Sequence, residues 1–234
     1  GDVYKRQEQD AAMADTPLPT LHSYWRSSAA YRVRLALAIK RLPYRQVAWH
    51  MAKGEHQQPA YREIAPFGLV PMLEIDGLRL QQSLAIIDYL DARHPEPALL
   101  PTDPAQRAQA RALAQLVACE MHPLNNLRTL NRLRSQFGAD DAQVQDWYRH
   151  WCEEGFRAFE AALGASHGDY ALGAAPSLVE CCLVPQVYNA RRYEVDLTPF
   201  ARVRAIVQAC ESQPAFDAAR PENQPDAPRP AQAA

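Results

Sequence analysis

Asp76-Gly77, set between the runs Met72-Leu73-Glu74-Ile75 and Leu78-Arg79-Leu80-Gln81, constrains the architecture of this chain more than any other pair of residues. A two-residue type I′ hairpin turn needs positive φ at both central positions, which Asp-Gly tolerates, so two adjacent antiparallel strands are predicted here. Upstream, Leu21–Trp25 and Tyr44–His50 read as strands around a helix over Ser28–Lys40, with Val33, Ala36 and Leu37 on one face. Pro59–Ile64 reads as a short helix and Ser83–Arg93 as a longer one. Strand-helix-strand-helix-strand-strand-helix requires parallel pairing through crossovers plus one antiparallel hairpin.

After this α/β unit the pattern changes. His94-Pro95-Glu96-Pro97 stops the helix, and Leu99-Leu100-Pro101-Thr102-Asp103-Pro104 reads as a linker ending in a proline at a helix start, which places a domain boundary near residue 98. Residues 99–219 read as all-helical: Ala105–Ser135, Ala142–Leu163, Ser177–Tyr193 and Pro199–Ser212, with Gly138, Gly164, Gly168 and Gly173 at the breaks. Ser177-x-x-Glu180 is a capping box, and Pro123 and Pro185 are expected to kink or interrupt their helices. Residues 1–19 read as an expression scar or unstructured leader around a possible start at Met13. Residues 220–234, with four prolines between 221 and 230, read as a disordered tail.

The bulk properties exclude several classes. At 234 residues, 47% hydrophobic and 22% charged, the chain is long enough for two modest domains. A formal net charge of −2 gives no electrostatic case for a nucleic-acid partner. No apolar run approaches the roughly 18 residues that span a bilayer, and the first residues lack the apolar core of a signal peptide, so a cytoplasmic location without membrane contact is expected. The five cysteines, Cys119, Cys152, Cys181, Cys182 and Cys210, show no metal spacing and read as buried free thiols.

The chemistry-bearing residues cluster at two helix starts and one proline corner. Ser27-Ser28 stand where the first strand hands over to a helix, whose leading amides lack internal partners and carry the positive end of the peptide dipole. Pro71 holds Val70 extended, more so if the bond between them is cis, leaving the Val70 peptide groups to pair with an extended ligand. Gln82-Ser83 open a second helix that can take a carboxylate. Alone, Ser27 and Ser28 would read as ordinary N-caps. With the other two pieces they form a clamp for a thiolate, a peptide backbone and an α-carboxylate, and glutathione carries all three groups.

With S-S-x-x-x-R-V-R-x-A-L, L-V-P and Q-S-L-A-I-I-x-Y-L in register, the chain from about Leu21 to Ala219 resembles the zeta-class glutathione transferases, with a thioredoxin-like domain ahead of a helical one. The strings His122–Arg128, Cys182–Gln186 and Asn189–Pro199 resemble the maleylacetoacetate and maleylpyruvate isomerases of that class. The resemblance implies glutathione-dependent cis-trans isomerisation of a conjugated dicarboxylate, and a homodimer. It also implies that Ser27 lies beside the sulfur with Ser28 next to it, that Val70 is the backbone clamp, and that Gln82 and Ser83 hold the γ-glutamyl end. His56 matches a residue near the glycine end, and His122 and Asn126 match residues facing the site from the helical domain. Ala29 stands where relatives commonly have Cys, and Phe67 where they often have a polar residue. Leu127 stands where maleylpyruvate-type relatives tend to have Arg, which favours maleylacetoacetate as substrate.

Such an isomerisation needs a thiolate, supplied by glutathione, and cations for the substrate carboxylates and developing negative charge. Arg26 and Arg192 are the candidates, because a guanidinium fork binds carboxylate bidentately. Arg32, inside the first helix, is expected to be a structural ion-pair partner, and Tyr24 to pack in the core. The competing readings are a zeta-class transferase or dehalogenase acting on small halogenated acids, and a non-catalytic glutathione-binding protein. A thiol-disulfide exchanger is disfavoured, since no cysteine stands at the helix start.

Overall fold

The computed structural model describes residues 17–164 and 168–228. Strands β1 (Thr20–Ser23), β2 (Arg45–Ala48), β3 (Met72–Ile75) and β4 (Leu78–Gln81) form a mixed sheet in the order β2-β1-β3-β4. β1 and β2 are parallel, with Leu21 opposite Gln46, and β3 is antiparallel to both β1 and β4. Helix α1 (Ser28–Ile39) joins the parallel pair, α2 (Pro59–Arg62) precedes the proline corner, and α3 (Ser83–Arg93) follows β4. Asp76 and Gly77 have φ of 51° and 75°, the double positive value that a hairpin turn matching the twist of its strands requires. This is the thioredoxin-like unit.

The helical part comprises α4 (Pro104–Gln115), a π-helical turn (Leu116–Met121), α5 (His122–Asn125), α6 (Leu127–Phe137), α7 (Asp141–Ala162), α8 (Leu178–Arg192) and α9 (Ala201–Glu211). The single helix expected over Ala105–Ser135 is therefore broken twice. Pro123 has no N–H for the helical ladder, and the wider π turn ahead of it absorbs the mismatch. Asn126 then leaves helical geometry, with φ −66° and ψ 145°, and caps α6 through its side chain. Pro185 lies within α8, which continues across it. The Ser177 capping box forms as read, with the buried Glu180 carboxylate accepting from Ser177 N and Oγ, each at 2.7 Å.

The carboxyl end differs from expectation. Helix α10 (Pro214–Ala219) packs on α1, and Pro221–Asn223 form a further 3-10 turn. Pro221 starts that turn, where a missing N–H costs nothing. Gln224 is buried and donates to the Ala218 and Arg220 carbonyls at 3.1 and 2.8 Å. The disordered tail read from 220 is thus corrected for residues 220–228. The rest of that tail, from 229, and the leader through residue 16 lie outside the described residues.

One apolar cluster runs from Leu21 and Leu37 in the sheet unit through Leu113, Phe156 and Cys182 to Phe216. A smaller one, Tyr24, Tyr61, Ala65, Val70 and Met72, lies beneath the proline corner. Gly155 on α7 lets the π turn approach closely, because a Cβ there would meet Met121 Cγ at 2.2 Å. The Lys40 ammonium, fully buried, bonds Asp91 Oδ1 at 2.8 Å and the His94 and Pro97 carbonyls at 2.7 and 2.9 Å. Asp91 Oδ1 also accepts Leu99 N at 2.7 Å, so one ion pair ties α1, α3 and the linker together.

Truncating one member leaves the other buried and unpaired. Lys40→Ala and Asp91→Ala are each expected to lower unfolding free energy by about 3–5 kcal/mol, measured by urea titration. Gly155→Ala, which drives a methyl into Met121, is expected to lower it by about 1–3 kcal/mol in the same measurement.

Candidate active site

At the start of α1, Ser27 has extended backbone, with φ −71° and ψ 119°, and its Oγ accepts the Ala30 amide at 3.2 Å. Ser28 is buried, and its Oγ accepts from Asn189 Nδ2 of α8. A hydroxyl oxygen that accepts an N–H keeps its own proton to give. The cap reading is met at Ser27, and the same geometry is compatible with the anion reading. Each serine oxygen is fixed by a donor, and each O–H remains available to an anion in front of the helix.

That position opens into a cavity of about 250 Å³ between the sheet unit and the helices. Val70 lines it beside a cis Val70–Pro71 bond, and its peptide groups make no backbone hydrogen bond among the described residues. Gln82 has φ 72° and ψ 113°, an unusual conformation for a residue with a side chain, and its amide takes no part in capping α3. Ser83 Oγ accepts Arg32 Nη1 at 3.2 Å, which again leaves the serine proton free to donate.

Arg32 departs from its expected role. It has no acidic partner among the described residues, is 2% exposed, and its Nε and Nη2 are buried without a hydrogen-bond acceptor. Burial lowers its pKa. A guanidinium kept from water without a counter-ion is costly, and its uncompensated field favours negative charge in the adjoining cavity.

The helical part supplies the opposite wall. His122 follows the π turn and faces the cavity. Desolvation, then the charges of Arg32 and Arg128, push its pKa down to about 3, so the ring is neutral near pH 7. Asn126 lines the cavity, with its Oδ1 occupied by the Arg128 amide at 3.2 Å. Arg26 and Arg192 both reach the cavity from exposed positions. Arg26 lies over the Trp25 ring at 5.4 Å, and Arg192 Nη1 donates to Asn189 Oδ1 at 3.0 Å. Arg192, Asn189 and Ser28 thus form one chain of contacts from α8 to the start of α1.

Of the residues singled out from sequence, His56 stands apart. It sits on the turn Glu55–Gln57, outside the cavity lining, with a buried and unpartnered Nδ1. Tyr24, 6% exposed, packs with Tyr61 and Val70 and also borders the cavity. Cys119 is exposed, against the expectation of buried thiols, while the other four cysteines are buried. Sequence reasoning missed Asn125, Arg128, Asn189, Tyr148 and Tyr193. The two tyrosine rings stack at 3.6 Å in the cavity wall although 45 positions apart, and no local pattern announces that contact. Asn189 does stand within the string Asn189–Pro199 that carries the resemblance.

The low His122 pKa carries a stability consequence. Below about 6.5 the unfolded chain takes up a proton that the folded ring refuses until about pH 3, so folding stability falls as pH drops through that window. His122→Gln should flatten the slope measured by urea titration at stepped pH. A residual slope should persist, because burial also lowers the His22, His56 and His94 pKa values.

Comparison with known proteins accords with this geometry. Residues 21–98 match the family described as glutathione S-transferase, N-terminal domain. A probable maleylacetoacetate isomerase of Vibrio cholerae is 47% identical over 210 residues, covering 88% of this chain and 97% of that protein. A holo structure of maleylpyruvate isomerase, a bacterial zeta-class enzyme, superimposes with a TM-score of 0.87 at 44% identity, over 89% of this chain and 100% of that one. A maleylacetoacetate isomerase from Anaeromyxobacter dehalogenans, with dicarboxyethyl glutathione and citrate in its active site, gives 0.82 at 42% identity, over 91% and 98%. The chain belongs to the zeta-class glutathione S-transferases, within the family of maleylacetoacetate and maleylpyruvate isomerases.

Proposed function

We propose that this protein is a glutathione-dependent isomerase that converts the cis double bond of maleylacetoacetate to the trans form in aromatic-compound breakdown. The observation that carries the reading is the cavity itself, where two serine O–H groups at a helix start face the same space as Arg26 and Arg192. The dicarboxyethyl glutathione bound by the Anaeromyxobacter dehalogenans relative supports it, joining the tripeptide and two carboxylates in one ligand. Maleylpyruvate is the second reading, supported by the relatives of that name, and Leu127 favours maleylacetoacetate.

The donor set fits glutathione. Hydroxyl protons of Ser27 and Ser28 suit a thiolate, the unpaired Val70 peptide suits the tripeptide backbone, and Gln82 with Ser83 at the start of α3 suits the γ-glutamyl carboxylate. When bound, glutathione supplies the thiol whose reversible addition frees the conjugated double bond to rotate. Ser27 and Ser28 hold the deprotonated sulfur by donating to it, with the positive end of α1 behind them. Lowering the thiol pKa by about two units corresponds to ~2.7 kcal/mol of preferential stabilisation. Arg26 and Arg192 bind the substrate carboxylates and offset the negative charge that builds on the carbonyl oxygen. His122, neutral near pH 7, lends a hydrogen bond rather than a charge.

The same proposal assigns residues 20–98 to glutathione and 99–219 to substrate and subunit contacts in a cytoplasmic homodimer, as the family suggests. No helix among the described residues is long and apolar enough to cross a membrane.

The ultraviolet absorbance of maleylacetoacetate and maleylpyruvate, followed with and without glutathione, tests the reading, and absence of glutathione-dependent loss of either compound removes it. Ser27→Ala is expected to lower kcat by about 10² or more, as loss of one organised donor does elsewhere. Arg192→Ala is expected to lower kcat/KM for the dicarboxylate by about 10- to 100-fold, equivalent to one charged hydrogen-bond pair.

A further inference from the structure

We propose that the carboxyl-terminal segment, through Asp226, is a clasp that positions the Trp25-Arg26-Ser27 loop for the reaction. Asp226 Oδ2 accepts the Trp25 amide at 2.8 Å, across 201 positions of sequence, and Oδ1 accepts Gln46 Nε2 from β2 at 3.0 Å. On the other side of the same residue, the Trp25 carbonyl accepts Arg34 Nη2 at 2.9 Å. Arg34 is fully buried and reaches in two directions. Its Nη1 donates to Ser23 Oγ and the Tyr24 carbonyl at 3.3 and 3.4 Å, and its Nε to the Ala219 carbonyl at the end of α10 at 3.1 Å.

Trp25 is thus held at its N–H by the carboxyl-terminal segment and at its C=O by a guanidinium that the same segment helps to orient. Two groups of the site follow from it. The Arg26 guanidinium rests on the Trp25 ring at 5.4 Å, and Ser27 N donates to the Tyr24 carbonyl at 2.9 Å, closing the turn that presents the serine. Tyr188, whose hydroxyl donates to Glu222 at 2.5 Å, adds a second tie between this segment and α8, one residue before Asn189. Asp226 lies outside the cavity lining, so its role is positioning. The inference rests on the assignment of Ser27 as the residue beside the sulfur.

The test uses the full chain and its Asp226→Ala, Asp226→Asn and Gln46→Ala variants. It reads the thiolate absorbance of bound glutathione against pH, kcat and KM for maleylacetoacetate, and the thermal midpoint. Asp226→Ala should raise the apparent pKa of the bound thiol and lower kcat by about three- to tenfold, with KM for the substrate and the midpoint little changed. Asp226→Asn, which keeps an acceptor for the Trp25 amide, should recover most of the loss, and Gln46→Ala, which removes the contact to Oδ1 but leaves the Trp25 bond to Oδ2, should show a smaller loss than Asp226→Ala. A wild-type protein that leaves the bound thiol as protonated as in buffer overturns the site reading and the clasp together. A lowered thiol pKa that persists unchanged in Asp226→Ala, with unchanged kcat, overturns the clasp alone.

Discussion

Helix α1 is enclosed by its surroundings: α3 and α8 on its flanks and α10 across it, with residues from Ala30 to Leu37 buried without a gap. Such a helix meets the cavity through its first turns, from Ser28 to Arg32. Its C-terminal end is closed by Lys40, which is locked to Asp91 and to carbonyls of the linker. What remains open is the amino end, where the helix field is positive and the first amides, apart from that of Ala30 on Ser27 Oγ, have no partner within the helix. The cavity is built around that end, with the unpartnered nitrogens of Arg32 in its wall.

Three buried cations on or next to this helix show three solutions to the same problem. Lys40 has a carboxylate, so its charge is neutralised within the core. Arg34 is shared among the carbonyls of Tyr24, Trp25 and Ala219 and a serine hydroxyl, so it joins segments that are distant in sequence. Arg32 gives one N–H to Ser83 and leaves two nitrogens without acceptors, so its field is uncompensated by protein. The differences follow from position. Lys40 lies at the far end from the cavity, whereas Arg32 stands one helical turn behind Ser28 and borders it.

The sheet unit was largely legible because its signals are local. Asp76-Gly77 dictates its turn, the run Met72–Ile75 forms the strand expected of it, and the Ser177 box needs only a residue three positions on. The serines and Val70 were legible as a set because the order of elements brings helix starts and the proline corner to one end of the sheet. Features that depend on distant partners were not. Asp226 was unreadable as a partner of Trp25 because four nearby prolines resemble a flexible tail, yet proline at the first position of a turn is stabilising. The missing counter-ion of Arg32 was hidden too, since an arginine in a helix ordinarily finds an acid. The π turn escaped notice because its residues, Leu116–Met121, have the composition of any apolar helix.

The continuous apolar cluster shared by sheet and helices makes this two-part architecture a single thermodynamic body. Leu37 and Ile86 from the first part and Leu113 and Val184 from the second lose their water against the same common interior. Cooperative melting in one transition is the natural behaviour of such an arrangement, although a reader of the gene would divide it into two modules. Exchanging one module for a homologous one would therefore mean rebuilding the seam between them, whereas exposed Phe67 and Leu127 at the rim of the opening lie outside that shared interior.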